Sequence, residues 1–203
     1  MFMKITYVTF YFLLCVTSVV AQKNQGQNRI QNLSKLEIGF QGIGYGYETG
    51  LGNNLAIDFS GGLGGGYYVY ENEVTHGWNL FQPALYFSVN PKLYYNRKRR
   101  FEKGHNTNFN SGNYFGLMMR FTTPALFPSN STGDLVTFAD SLRYSYLFNF
   151  HWGLQRPIGS KWLFNVHVGL GVARDLEFSY QSIYPALDLK FCYLFNHRKL
   201  NHK

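Results

Sequence analysis

Leu187-Asp188-Leu189-Lys190-Phe191-Cys192-Tyr193-Leu194-Phe195 is the stretch whose reading decides the fold. Large apolar residues hold the odd positions, while Asp188 and Lys190 hold even ones. A strand points successive side chains to opposite faces, so this segment is oily on one side and ionic on the other. An amphipathic helix would space its apolar residues at three and four, not two.

The same period runs back along the chain. Tyr144, Tyr146, Phe148, Phe150, Trp152 and Leu154 alternate with Ser145, Leu147, Asn149, His151, Gly153 and Gln155. Pro157-Ile-Gly-Ser-Lys161 turns, and Trp162 to Ala173 repeats the alternation, which reads as a hairpin. A loop from Arg174 to Tyr184 leads to the last strand, 185–195. Upstream, strands are expected at Leu80–Asn90 and Asn113–Thr122. Another spans Leu55–Tyr70, with Leu55, Ile57, Phe59, Leu63, Tyr67 and Val69 on one face and small or acidic residues on the other. Gly62, Gly64 and Gly66 fall on that second face and read as small inward residues that let a narrow barrel close. The earliest strand is Leu36–Glu48, whose apolar face changes parity near Gly42, as a glycine-bearing bulge would make it. Seven strands are then visible, and single-chain bacterial membrane barrels use even numbers. The eighth is Leu135–Asp140 or a segment ahead of Leu36, with the former slightly preferred. That choice decides whether the turns near 49–54 and 157–161 share one end.

Residues 1–21 have the build of a secretion signal: Lys4, an uncharged apolar run from Ile5 to Val20, then Val19 and Ala21 as small residues before Gln22. The run is shorter than a spanning helix requires. Leu13 and Leu14 ahead of Cys15 do not suit lipoprotein processing. Residues 22–34 read as a flexible polar lead-in, 35–195 as an outer-membrane β-barrel and 196–203 as a basic tail. After the leader only Cys192 remains, so no intramolecular disulfide forms. The net charge, +8 for the whole chain, favours acidic partners such as lipid phosphates, and export argues against nucleic acid.

The alternation also segregates charge. Asp58, Arg120, His151, His167, Asp188 and Lys190 all fall opposite the aromatic face. A Lys or Arg facing lipid at the bilayer midplane costs about 2–4 kcal/mol, so this sorting has a physical reason in a membrane barrel with a polar lumen. Tyr67, Tyr70, Tyr144, Trp162, Tyr184 and Tyr193 near strand ends suit head-group depth.

The segments PKLYYNRKRRFEKGHNTNFNSGNYFGL (91–117), WGLQRPIG (152–159) and LDLKFCYLF (187–195) carry a resemblance. In them the chain resembles small outer-membrane β-barrel proteins of Bacteroidota, over nearly all of its length after the leader. The resemblance implies an outer-membrane location and no assigned biochemical activity. Eight residues beyond Phe195 depart from barrels that end on a terminal aromatic.

Two constellations stand out. Glu37, Glu48, Asp58, Arg120, His151, His167, Asp188 and Lys190 read as a paired polar network filling the lumen, since a buried charge needs a partner. Lys92, Arg97, Lys98, Arg99, Arg100 and Lys103 read as a basic patch: a solvated turn, or a contact for anionic glycolipid. A lipid-modifying enzyme would need a serine beside a histidine base. No His-x-Ser occurs, and Ser145 and His151 lie ~20 Å apart along one strand. Ser60 or Ser88 brought to His151 by closure is the remaining route. His151, His167 and Asp188 are a weaker metal set. GGLGGG is no phosphate loop, because no Gly-Lys-Ser/Thr follows. The expectation is a non-catalytic, monomeric outer-membrane barrel with a structural or surface-interaction role, without cofactor or metal. Its alternatives are a lipid-modifying enzyme and a soluble lipocalin-like barrel.

Overall fold

A computed structural model describes residues 29–71, 73–77, 81–127 and 141–195. The leader and the basic tail lie outside the described residues. Ten strands occur among them: β1 (Leu33–Gly39), β2 (Gly42–Gly50), β3 (Leu55–Gly64), β4 (Gly66–Tyr70), β5 (Glu73–Gly77), β6 (Ala84–Tyr94), β7 (Gly112–Ala125), β8 (Ser145–Ile158), β9 (Trp162–Asp175) and β10 (Gln181–Leu194). Eight of them close an antiparallel barrel in the order β1-β10-β9-β8-β7-β6-β3-β2, with β2 paired back to β1. β4 and β5 form a separate hairpin that packs across β7, β9 and β10. A short helix α1 (Arg97–Glu102) and a 3-10 turn (Asn108–Asn110) lie between β6 and β7.

The eighth strand is neither of the two segments expected. The parity change near Gly42 is a hairpin, not a bulge: the chain reverses at Phe40–Gln41, and Gly39 pairs with Gly42. Gly42 takes φ 134°, a conformation that glycine adopts without steric cost. Leu135–Asp140 lies outside the described residues. The lead-in also ends earlier than expected. β1 begins at Leu33, Ile30 is buried, and Gln31 N–H donates to Asn110 Oδ1 at 2.7 Å.

The expected strand Leu55–Tyr70 is two. β3 leaves the wall at Gly65, whose N–H donates to Gln41 O, and β4 turns inward from there. Parity does not carry across that break, so Tyr67 and Val69 are buried rather than outward. Tyr184 is buried too, which removes it and Tyr67 from the expected aromatic girdle.

Strand alternation puts two sets of connections at opposite rims. The turns at 51–54 and 159–161 and segment 95–111 share the lower rim with the start of β1 and the end of β10. Turn 40–41, the β4–β5 hairpin, the end of β7, the start of β8 and turn 176–180 share the upper rim.

Side chains sort by face along every wall strand. Phe148, Phe150, Leu170 and Phe191 are outward and exposed, Phe150 at 55%. Asn149, His151, His167 and Asp188, at positions of the opposite parity on the same strands, are buried within. Inward glycines make room for large polar neighbours. A Cβ on Gly116 would stand 2.3 Å from His151 Nε2, and one on Gly153 would stand 2.4 Å from the Tyr114 ring. The interior is thus packed by side chains, as a barrel of this strand number requires.

Candidate functional site in the lumen

Six ionic side chains meet in the lower lumen. Lys92 Nζ donates to Asp58 Oδ2 at 2.7 Å and to Glu48 Oε2 at 2.8 Å. Lys35 Nζ donates to the same Asp58 oxygen at 2.8 Å and lies 3.0 Å from Glu37 Oε1. Lys190 Nζ donates to Glu37 Oε2 at 2.9 Å. Three ammonium groups thus face three carboxylates. Buried ions need this mutual pairing, because each alone would forfeit its hydration with nothing in return. Tyr94 OH and Asn110 Nδ2 donate to Glu48 Oε1, and Gln155 Nε2 donates to Phe109 O. These bonds fasten segment 95–111 under the lower rim as a plug.

The middle of the lumen holds the imidazoles. His151 and His167 stack with centroids 4.0 Å apart. Their Cα partners are Gly169 and Gly153 respectively, so they meet diagonally rather than face to face across the ladder. His151 Nδ1 is 2.7 Å from Asn149 Oδ1, and Nε2 is 3.4 Å from Asn90 Nδ2. Ser60 and Ser88 hydroxyls bond each other at 2.8 Å. Among the described residues, no group of three or more His, Cys, Asp or Glu is arranged to hold a metal ion.

The upper lumen is built around Arg120 and Asp188, whose Nη2 and Oδ2 lie 3.1 Å apart. Arg120 Nη1 also donates to Gln41 Oε1 and to Tyr67 OH. Gln41 sits in the β1–β2 turn and Tyr67 in the inturned hairpin, so this guanidinium pins both to the β7 wall. His76 of β5 lies against Tyr67, centroids 4.8 Å apart. Although the residue is partly open to solvent, desolvation against Tyr67 lowers its imidazole to about 4, with Arg120 acting in the same direction and Asp188 opposing.

Every residue expected in the lumen network is inside: Glu37, Glu48, Asp58, Arg120, His151, His167, Asp188 and Lys190. They form three groups, an ionic lower cluster, the stacked His151–His167 pair in the middle and the upper Arg120–Asp188 pair. The basic patch does not hold together as expected. Lys92 is a lumen residue, because β6 runs through Pro91 to Tyr94 instead of ending at Asn90. A proline removes only one ladder donor. Arg97 is 2% exposed, with its guanidinium donating to Thr107 O and Arg29 O. Lys98, Arg99 and Lys103 are exposed, and Arg100 is half-buried with a bond to Asn106 O. Lys35 is the clearest omission from the sequence reading. It shares parity with Glu37 and stands one residue ahead of the expected strand start at Leu36. Comparison with known protein families, with curated proteins and with solved structures found no match.

Proposed function

We propose that this chain is an integral outer-membrane β-barrel with a structural or surface-interaction role, its lumen closed by its own side chains. One observation carries the reading: the barrel is inverted relative to a water-soluble one. Its outer surface presents a band of Phe, Leu, Ile, Val and Tyr, while Lys, Glu, Asp, Arg and His fill the centre. Monomeric soluble proteins rarely expose contiguous apolar patches beyond a few hundred Å². Hydrocarbon outside supplies the missing apolar environment, and closure satisfies most of the strand backbone. A soluble ligand-binding barrel is the competing reading, but its apolar residues would line the inside.

Short turns conventionally face the periplasm and long loops the exterior. On that convention the lower rim, with Lys98, Arg99 and Lys103, faces the periplasmic leaflet, and these cations meet anionic head groups there. The paired lumen charges hold the two plugs and fill the described lumen with side chains, which argues against open-pore transport. The test is refolding with phosphatidylcholine vesicles followed by flotation and an alkaline carbonate wash. Protein that floats and resists the wash supports the proposal. Protein that stays in the aqueous fraction and needs no detergent rejects it in favour of the soluble barrel.

A further inference from the structure

The wall is not of even height. The β1–β10 register runs from Lys35↔Leu194 to Gly39↔Lys190, and Phe40 N–H then donates to Leu189 O at 3.1 Å. β10 continues upward to Gln181, paired to β9 along its other edge. Among the described residues, no strand pairs with Gln181–Asp188 on the β1 side. The barrel is therefore notched above the β1–β2 turn.

Leu189 turns its carbonyl toward β1, so by the two-residue period Leu187, Pro185 and Ile183 present their backbone groups to the notch. Pro185 stands where an N–H would lack a strand partner, and it has none to offer. The notch opens on a cavity of about 330 Å³. Its lining joins inward side chains, Arg120, His167 and Asp188, with residues of the notch edge, Phe40, Pro185 and Leu187. Small-molecule sites span roughly 300–1,000 Å³ and combine apolar walls with a few convergent polar groups, as this one does.

Beneath that lining Arg120 Nε and Asp188 Oδ1 are sealed from the cavity and have no hydrogen-bond partner among the described residues. The two side chains neutralise each other, so an anion or a cation entering beside them would leave one buried charge uncompensated. On the lining, Tyr184 OH accepts from Asn149 Nδ2 and keeps a hydrogen to donate, and Gln41 and Tyr67 beside it are neutral polar groups, a setting that suits a hydroxyl. We propose that this cavity binds the head of a neutral, hydroxyl-bearing, single-chain amphiphile whose chain leaves through the notch between Phe40 and Leu187. The proposal rests on the membrane reading, since the bilayer supplies the ligand and surrounds its tail.

The test uses full-length exported protein in detergent, incubated separately with a monoacylglycerol, the fatty acid of the same chain and the matching alkylamine. Native mass spectrometry reads the retained adduct, and heat-shifted gel migration reads the fold. Ala186→Phe and Met118→Phe each push a ring into the cavity, from β10 and from β7. The wild type is expected to retain one monoacylglycerol, about tenfold better than either charged analogue, with about tenfold loss in each folded variant. If one variant fails to fold, the other decides. Heat-shifting wild type that retains no monoacylglycerol, retains all three alike, or loses nothing on either substitution overturns the proposal and leaves the membrane reading standing. Protein that is soluble without detergent and shows no heat shift overturns both.

Discussion

Lys92 Nζ stands 2.7 Å from Asp58 Oδ2, although the Cα partner of Lys92 is Ala56. The ammonium crosses diagonally between β6 and β3 to reach a carboxylate that Lys35 also holds. Removing one member of such a buried set strands the opposite charge. Lys92→Met is expected to cost about 3–5 kcal/mol, read as a lower urea midpoint for loss of heat-shifted migration. Lys98→Ala, at the exposed start of α1, should stay within about 0.5 kcal/mol of wild type. Equal effects of the two would refute the lumen network.

Inward glycines carry a second expectation. Gly116→Val drives its side chain against His151 and Asn90, and overpacking of this kind costs about 1–3 kcal/mol. At Gly61, which shares the outward face of β3 with Phe59 and Leu63, an added Cβ meets nothing nearer than 3.4 Å. Gly61→Ala should therefore be tolerated, and unfolding midpoints of the pair measured side by side decide the point.

The hairpin of β4 and β5 should loosen in acid. His76 packs one ring face on Tyr67 while the rest of the side chain is exposed, and desolvation with Arg120 nearby lowers its value to about 4 from an ordinary 6.5. A group depressed on folding contributes its full stability above its unfolded value and loses it as pH falls toward the folded one. Proteolytic cleavage within 66–77 should rise between about pH 6.5 and 4 and level off below. His76→Gln removes the titration, so a pH profile unchanged by that substitution would contradict the assignment.

On the outer surface, Phe150→Arg places a cation where the account puts hydrocarbon. The expected loss is about 2–4 kcal/mol in vesicles if Phe150 lies near the midplane, less toward either head-group layer. A soluble barrel would instead tolerate the change and gain solubility.

Much of this architecture is legible in the alternation. The β8–β9 hairpin, the outward aromatic face and the inward placement of Asp188 and Lys190 all follow from a period of two. The β1–β2 turn did not, and the reason is arithmetic. Antiparallel partners across a two-residue loop sum to an odd number, 39 with 42 here, so the buried face changes parity just as it does at a bulge. Tyr67 was misplaced because parity was carried through Gly65, where the chain leaves the wall. Lys92 was assigned to a surface patch because Pro91 resembles a strand end. The diagonal meeting of His151 with His167, and of Lys92 with Asp58, depends on shear between strands that sequence spacing does not reveal.

The most direct test of the inverted barrel is site-directed spin labelling of vesicle-embedded protein at Phe148→Cys, Phe150→Cys and Leu170→Cys, with Lys103→Cys as reference, in a Cys192→Ser background. Labels at 148, 150 and 170 should be relaxed strongly by oxygen and weakly by a water-soluble nickel complex, with the opposite order at 103. Nickel accessibility at 148, 150 and 170 equal to that at 103 would place the aromatic band in water and contradict the account.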